Sequence, residues 1–154
     1  MNYKEKSTRE IFANYLEEVS SKYADINTSE YGYRTPFEIF LKGIFSEIKV
    51  NKIEHDPKAV GGKKPDFVLS KDNVPILYIE VKDIGVSLDK TEKSEQLTRY
   101  YGYDNLVLTD YLEFRFYRNG LKYVEPISIA SNDKKERTLS YKPENFELLR
   151  KTLI

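Results

Sequence analysis

The chain has 154 residues, the usual size of one folded domain with one core, so no second catalytic module is expected within it. Its 25 Lys and Arg residues balance 25 Asp and Glu, which excludes a nucleic-acid binder that works by bulk positive charge; any such site has to be local. The absence of cysteine and the single histidine, His55, exclude disulfides, zinc fingers, iron–sulfur clusters, thiol nucleophiles and multi-histidine metal sites, leaving oxygen ligands for any metal chemistry.

The N-terminus carries no apolar leader, and the longest uncharged apolar run, 74–79, is far too short to cross a bilayer, so a cytoplasmic protein with no membrane partner is expected. Ile11, Phe12, Tyr15, Leu16 and Val19 recur at helical spacing and predict an amphipathic helix over about 8–23, with Ser7 or Thr8 as its N-cap. After a turn-like stretch, Thr35-Pro36 opens a second helix. Phe37, Phe40, Leu41, Ile44, Phe45 and Ile48 give it a wide apolar face, and Thr35 with Glu38 reads as a capping box. Residues 51–64, with Pro57, Gly61 and Gly62, read as a loop entered by a short strand over 49–53.

Two strands are predicted next, 66–70 and 74–83, joined by a tight turn at Lys71-Asp72-Asn73. A helix over 88–103 presents Leu97, Tyr100 and Tyr101, and 105–109 is a short strand apolar enough for a buried sheet position. From Tyr111 the pattern alternates, with Leu112, Phe114 and Phe116 on one face and Glu113, Arg115 and Tyr117 on the other, up to an Asn119-Gly120 hairpin turn. Residues 131–137 read as a charged loop. A final helix over 143–154 ends on apolar Leu153 and Ile154, which suggests docking on this core or a chain cut from a longer protein.

The chemistry concentrates in Pro65-Asp66-Phe67-Val68-Leu69 and Ile76-Leu77-Tyr78-Ile79-Glu80-Val81-Lys82. Strand side chains alternate, so Glu80 and Lys82 share a face at the end of an apolar strand, where unpartnered charges are costly. A hairpin returning from Asp66 brings a second carboxylate beside Glu80. Two carboxylates with no histidine nearby suit Mg²⁺, with Mn²⁺ as a substitute, and the Val81 carbonyl is a candidate further ligand. Lys82 beside a metal and a phosphate suits phosphodiester hydrolysis.

With these residues the sequence resembles the PD-(D/E)XK nuclease superfamily, Pro65-Asp66 supplying the first half of the motif and Glu80-Val81-Lys82 the second. Glu47-Ile48-Lys49 also matches the tripeptide, but at a helix end, where residues two apart diverge; Asp56-Pro57-Lys58 and Asp133-Lys134-Lys135 end no apolar strand. Gln96-Leu97-Thr98-Arg99-Tyr100 resembles the Q-x-x-x-Y element of RecB-like and type I restriction nuclease domains, and Glu38 stands where many members add an acidic group behind the metal. A capping role explains Glu38 equally well. The segment from Asn105 through the following hairpin also resembles the N-terminal nuclease domains of single-chain restriction-modification enzymes of types ISP and IIG.

The resemblance, which covers about 36–119, implies an α/β fold of the restriction-endonuclease type: an αβββαβ core with a central mixed sheet flanked by helices and a C-terminal hairpin. It implies Asp66, Glu80, Lys82, Gln96 and Tyr100 as catalytic residues; Asp66, Glu80, the Val81 carbonyl and in addition Glu38 as metal ligands; and Mg²⁺ as cofactor. The partners it implies are double-stranded DNA, downstream methyltransferase, translocase or target-recognition domains, and a transient dimer for double-strand cleavage. The competing readings are a repair or junction-resolving nuclease and a non-catalytic DNA or protein docking module. His55 reads as a solvated loop residue, and Lys63, Lys64 and Arg99 as basic residues within reach of a phosphate.

Overall fold

The computed structural model describes residues 3–46, 50, 52–55, 65–94, 98 and 100–154. The first helical periodicity becomes α1 (Tyr3–Ala24), longer at its start than the apolar pattern alone predicts, and the second becomes α2 (Arg34–Ile44). A 3₁₀ turn, Glu30–Tyr33, runs directly into α2, so Tyr33 occupies the cap position in a helical conformation with no side-chain cap bond. This corrects the capping-box reading: Thr35 already lies inside the first turn, where its side chain is no longer at the cap.

The strands are β1 (Lys52–His55), β2 (Phe67–Lys71) and β3 (Val74–Val81), followed by α3 (Leu88–Glu92), β4 (Asn105–Thr109), β5 (Glu113–Arg118), β6 (Leu121–Lys122), β7 (Ile127–Ser128), β8 (Ala130–Asp133) and β9 (Thr138–Tyr141). A 3₁₀ turn at Pro143–Asn145 leads into the last helix, α4 (Phe146–Leu153), which therefore starts later than the sequence pattern suggests. The chain divides into two compact units, one formed by 1–48 with 127–154 and the other by 49–126.

In the first unit, Phe12 of α1 stacks on Phe146 of α4 at 4.7 Å and meets Phe40 of α2 edge-on at 5.0 Å, while Tyr15 stacks on Phe40 at 4.4 Å. Residues 131–137, predicted as loop, are largely the β8–β9 hairpin, paired from Ala130↔Tyr141 to Asp133↔Thr138. The pattern hid it because almost every side chain in these strands is exposed or half-exposed, leaving no apolar alternation to read. The Asn132 amide donates to the Tyr23 hydroxyl at 3.0 Å, and Arg137 Nε donates to the Tyr23 carbonyl at 2.7 Å with its guanidinium over the Tyr23 ring.

The second unit is a mixed sheet of order β1-β2-β3-β4-β5-β6, antiparallel throughout except for the parallel pair β3–β4. The element order from α2 onward, αβββαβ, and the α/β class are as expected. β1 lies later than predicted, at 52–55, because its pairing partner is Phe67–Ser70, and His55 is thereby a strand residue opposite Phe67 rather than a loop residue. Asp72 and Asn73, at φ of 51° and 66°, close the β2–β3 hairpin. Asn119 and Gly120, at 51° and 81°, close β5–β6, as a two-residue turn with both residues left-handed requires. The predicted helix over 88–103 is instead interrupted: α3 ends at Glu92 with Lys93 as C-cap and a turn at Ser94, and helical backbone is described again at Thr98 and Tyr100. Of the described residues, no helix is long and apolar enough to cross a membrane.

Candidate active site

Alternation along β3 sends Leu77, Ile79 and Val81 to one face and Tyr78, Glu80 and Lys82 to the other. Parallel pairing then sets Tyr78 opposite Leu106 and Glu80 opposite Leu108. Leu88, Tyr100, Leu106, Leu108 and Tyr117 form one buried cluster on this face, with Tyr78, Tyr101 and Tyr103 packed against it. Glu80 is thus a carboxyl group inside an apolar layer, only 3 % exposed.

Asp66 immediately precedes β2. Because Phe67 pairs with Ile79, Asp66 arrives beside Glu80, and its Oδ2 accepts the Val81 amide at 2.9 Å. The two carboxyl groups are hydrogen-bonded to each other, and the Tyr100 hydroxyl donates to Glu80. Burial pushes the Glu80 carboxyl from 4.5 up to about 9; the hydrogen bond and negative charge of Asp66 add to this, while Lys82 and Tyr100 oppose it. At neutral pH the pair therefore holds a proton between its oxygens. Lys82 continues the same face at the strand end, and its amide donates to the Thr109 carbonyl at 2.8 Å, extending the β3–β4 pairing by one bond.

Converging carboxylates that share a proton form a donor set that a hard divalent cation can occupy in the proton's place. Two carboxylates are enough for Mg²⁺, which retains several waters; among the described residues no group of three His, Cys, Asp or Glu is close enough to hold a metal. The residues therefore fit the ion as a two-carboxylate site.

Asp66, Glu80, Lys82 and Tyr100 thus come together in the second unit. Val81, considered for its carbonyl, contributes its amide by fixing Asp66, a role strand pairing makes possible and the sequence motif does not reveal. Glu38 belongs to the first unit, on α2, where it pairs with Lys42 at 3.7 Å. Gln96, Lys63, Lys64, Arg99 and the alternative Glu47-Ile48-Lys49 tripeptide lie outside the described residues, as does the His55 side chain.

Sequence reasoning missed a second polar group on the same face. In the lateral row Glu80–Leu108–Arg115, Arg115 stands two strands from Glu80. Arg115 reaches Glu113 at 2.5 Å, Asp89 at 2.8 Å and Glu92 at 3.0 Å, and Glu92 also takes a hydrogen bond from the Tyr117 hydroxyl and pairs with Lys122 at 2.9 Å. The Tyr101 hydroxyl donates to the Glu92 carbonyl at 2.7 Å. Burial opposes the Arg115 charge, yet its three carboxylate partners hold the guanidinium above its ordinary pKa; burial, together with the hydrogen bond to Glu92, raises Tyr117.

The sequence matches no protein-family model and no curated protein. Among solved structures it is similar to a chain described as the cryoEM structure of a DrdV–DNA complex, with a TM-score of 0.68 and 20 % identity. The match covers 92 % of this chain and 13 % of that one, so this chain spans about an eighth of the length of the protein it matches. The likeness is one of fold: an α/β chain with a central mixed sheet, shared with a protein solved on DNA.

Proposed function

We propose that this chain is a Mg²⁺-dependent endonuclease of the PD-(D/E)XK type, acting on double-stranded DNA as the cleavage module of a restriction-modification enzyme. The observation that carries the reading is the contact of the Asp66 and Glu80 carboxyl groups inside an apolar layer, with Lys82 on the same strand face. A protein rarely keeps two converging acids in such a place for stability alone. The fold shared with a protein solved in complex with DNA supports the choice of substrate.

Asp66 and Glu80 would hold the ion. When bound, it supplies positive charge to a phosphodiester and acidifies water. Lys82 stabilises negative charge developing on the phosphate and orients the attacking water; Tyr100 fixes the Glu80 carboxylate through its hydroxyl. Gln96 is assigned to orienting Lys82 or the phosphate. Methyltransferase, translocase or target-recognition modules and a transient dimer complete the proposed enzyme.

Supercoiled plasmid incubated with Mg²⁺ or Mn²⁺ tests this. Lys82→Ala and Asp66→Ala each lower nicking by at least about 10²-fold with the fold retained; cleavage that survives both substitutions sinks the reading. A docking module with the same fold would show no Mn²⁺ binding that depends on Asp66 and Glu80.

A further inference from the structure

On the proposed reading, the Asp66–Glu80 pair is only as well placed as the groups that hold it, Tyr100 among them. The chain leads from α3, which ends at Glu92 with Lys93 as its C-cap, on to Tyr100. Tyr100 reaches Glu80, and the neighbouring residue, Tyr101, is hydrogen-bonded to the Glu92 carbonyl at 2.7 Å. Glu92 in turn holds the outer strands: its carboxylate takes the Tyr117 hydroxyl, Arg115 at 3.0 Å and Lys122 at 2.9 Å. The Tyr101 and Tyr117 rings lie 5.1 Å apart, so both ends of the Glu92 residue, carbonyl and carboxylate, are anchored to one aromatic pair. Leu108, fully buried, separates Arg115 from Glu80 in the lateral row. Arg115 therefore stands off from the Glu80 carboxyl, and its described link to Tyr100 runs through Glu92 and Tyr101.

We infer that Glu92, with Arg115 and Tyr117, is a clamp that positions Tyr100 against Glu80 and thereby sets the affinity of the Asp66–Glu80 pair for a divalent cation. The clamp rests on the metal-dependent reading of that pair. Glu92 does not touch the reacting atoms; it is a positioning residue. The cluster's composition matches the task. An exposed ion pair would add little rigidity, whereas a glutamate 13 % exposed at its side chain, meeting a guanidinium 11 % exposed and a buried tyrosine, has one preferred geometry.

The test is Mn²⁺ titration by calorimetry, without DNA, alongside the Mg²⁺ dependence of plasmid cleavage, on the wild-type chain, Glu92→Gln, Tyr117→Phe and Leu149→Ala. Leu149 is a buried core residue of the first unit, and its truncation controls for loss of stability alone. Glu92→Gln and Tyr117→Phe are expected to weaken Mn²⁺ binding and raise the half-maximal Mg²⁺ concentration by about tenfold, the usual size of such indirect effects, with the KM for DNA nearly unchanged. Leu149→Ala lowers the thermal midpoint and leaves the metal dependence where it was. Should Glu92→Gln fail to fold, Tyr117→Phe, which loses one hydroxyl, decides. Wild-type metal affinity in a folded clamp variant overturns the inference and leaves the nuclease reading intact. A wild-type chain that neither binds Mn²⁺ nor cuts overturns both.

Discussion

Glu80 is a buried carboxyl held well above its ordinary pKa, and the sign of that shift makes a measurable prediction. Its carboxyl is raised from 4.5 to about 9, so between these values the folded chain keeps a proton that the unfolded chain has released. More protons bound in the folded state means that stability falls as pH rises through this window. The thermal midpoint of the metal-free protein is expected to drop by several degrees between pH 5 and pH 9, each kcal/mol being worth roughly 2–4 °C at this size. Glu80→Gln, which has no proton to lose, should flatten that slope; an equal slope in the variant would show that another group carries it. Under the proposed function, a cation entering between Asp66 and Glu80 would displace this proton and bind more tightly as pH increases.

At the scale of elements, turns and strands divide sharply in how readily the sequence discloses them. β3 and β5 were legible because each has one apolar face, and Asn119-Gly120 because both residues take up left-handed backbone that few others tolerate. Gly120 also lies where a Cβ would meet the Tyr101 carbonyl oxygen at 3.2 Å. Gly120→Ala is therefore expected to cost about 1 kcal/mol or more in urea unfolding; an unchanged midpoint would mean that the turn relaxes freely. The β8–β9 hairpin was illegible because neither strand buries a continuous face, and the break after α3 because no Gly or Pro marks it. At the site, alternation and one hairpin sufficed to bring Asp66 to Glu80. The same alternation set Glu113, Arg115 and Tyr117 on one face, but nothing in the pattern indicated that Glu92, in a different element, would meet them.

For the whole molecule, the balance of 25 basic and 25 acidic residues means that the DNA binding proposed above would rest on particular contacts and not on a general field. Asp66, Glu80, Lys82 and Tyr100 all belong to the unit formed by 49–126, so their mutual geometry depends on that unit's own sheet. Within the sheet, β2–β3 and β4–β5 are antiparallel neighbours closed by short connections, whereas β3–β4 is parallel and its strands are joined by the long crossover between Val81 and Asn105. Short loops close at little entropic cost and long ones at more, so the two local pairs are expected to form before the parallel seam. In folding kinetics, Asn73→Ala, in the left-handed backbone of the β2–β3 turn, should slow folding; an unchanged folding rate would take that hairpin out of the nucleus. Asp66 and Glu80 sit on one early hairpin, but Tyr100 lies on the crossover and the Thr109 carbonyl that holds Lys82 lies on the far strand. That order would give the chain a temporal safeguard: its carboxylates would meet early, and the groups that orient them would arrive only when the last strand pair had closed.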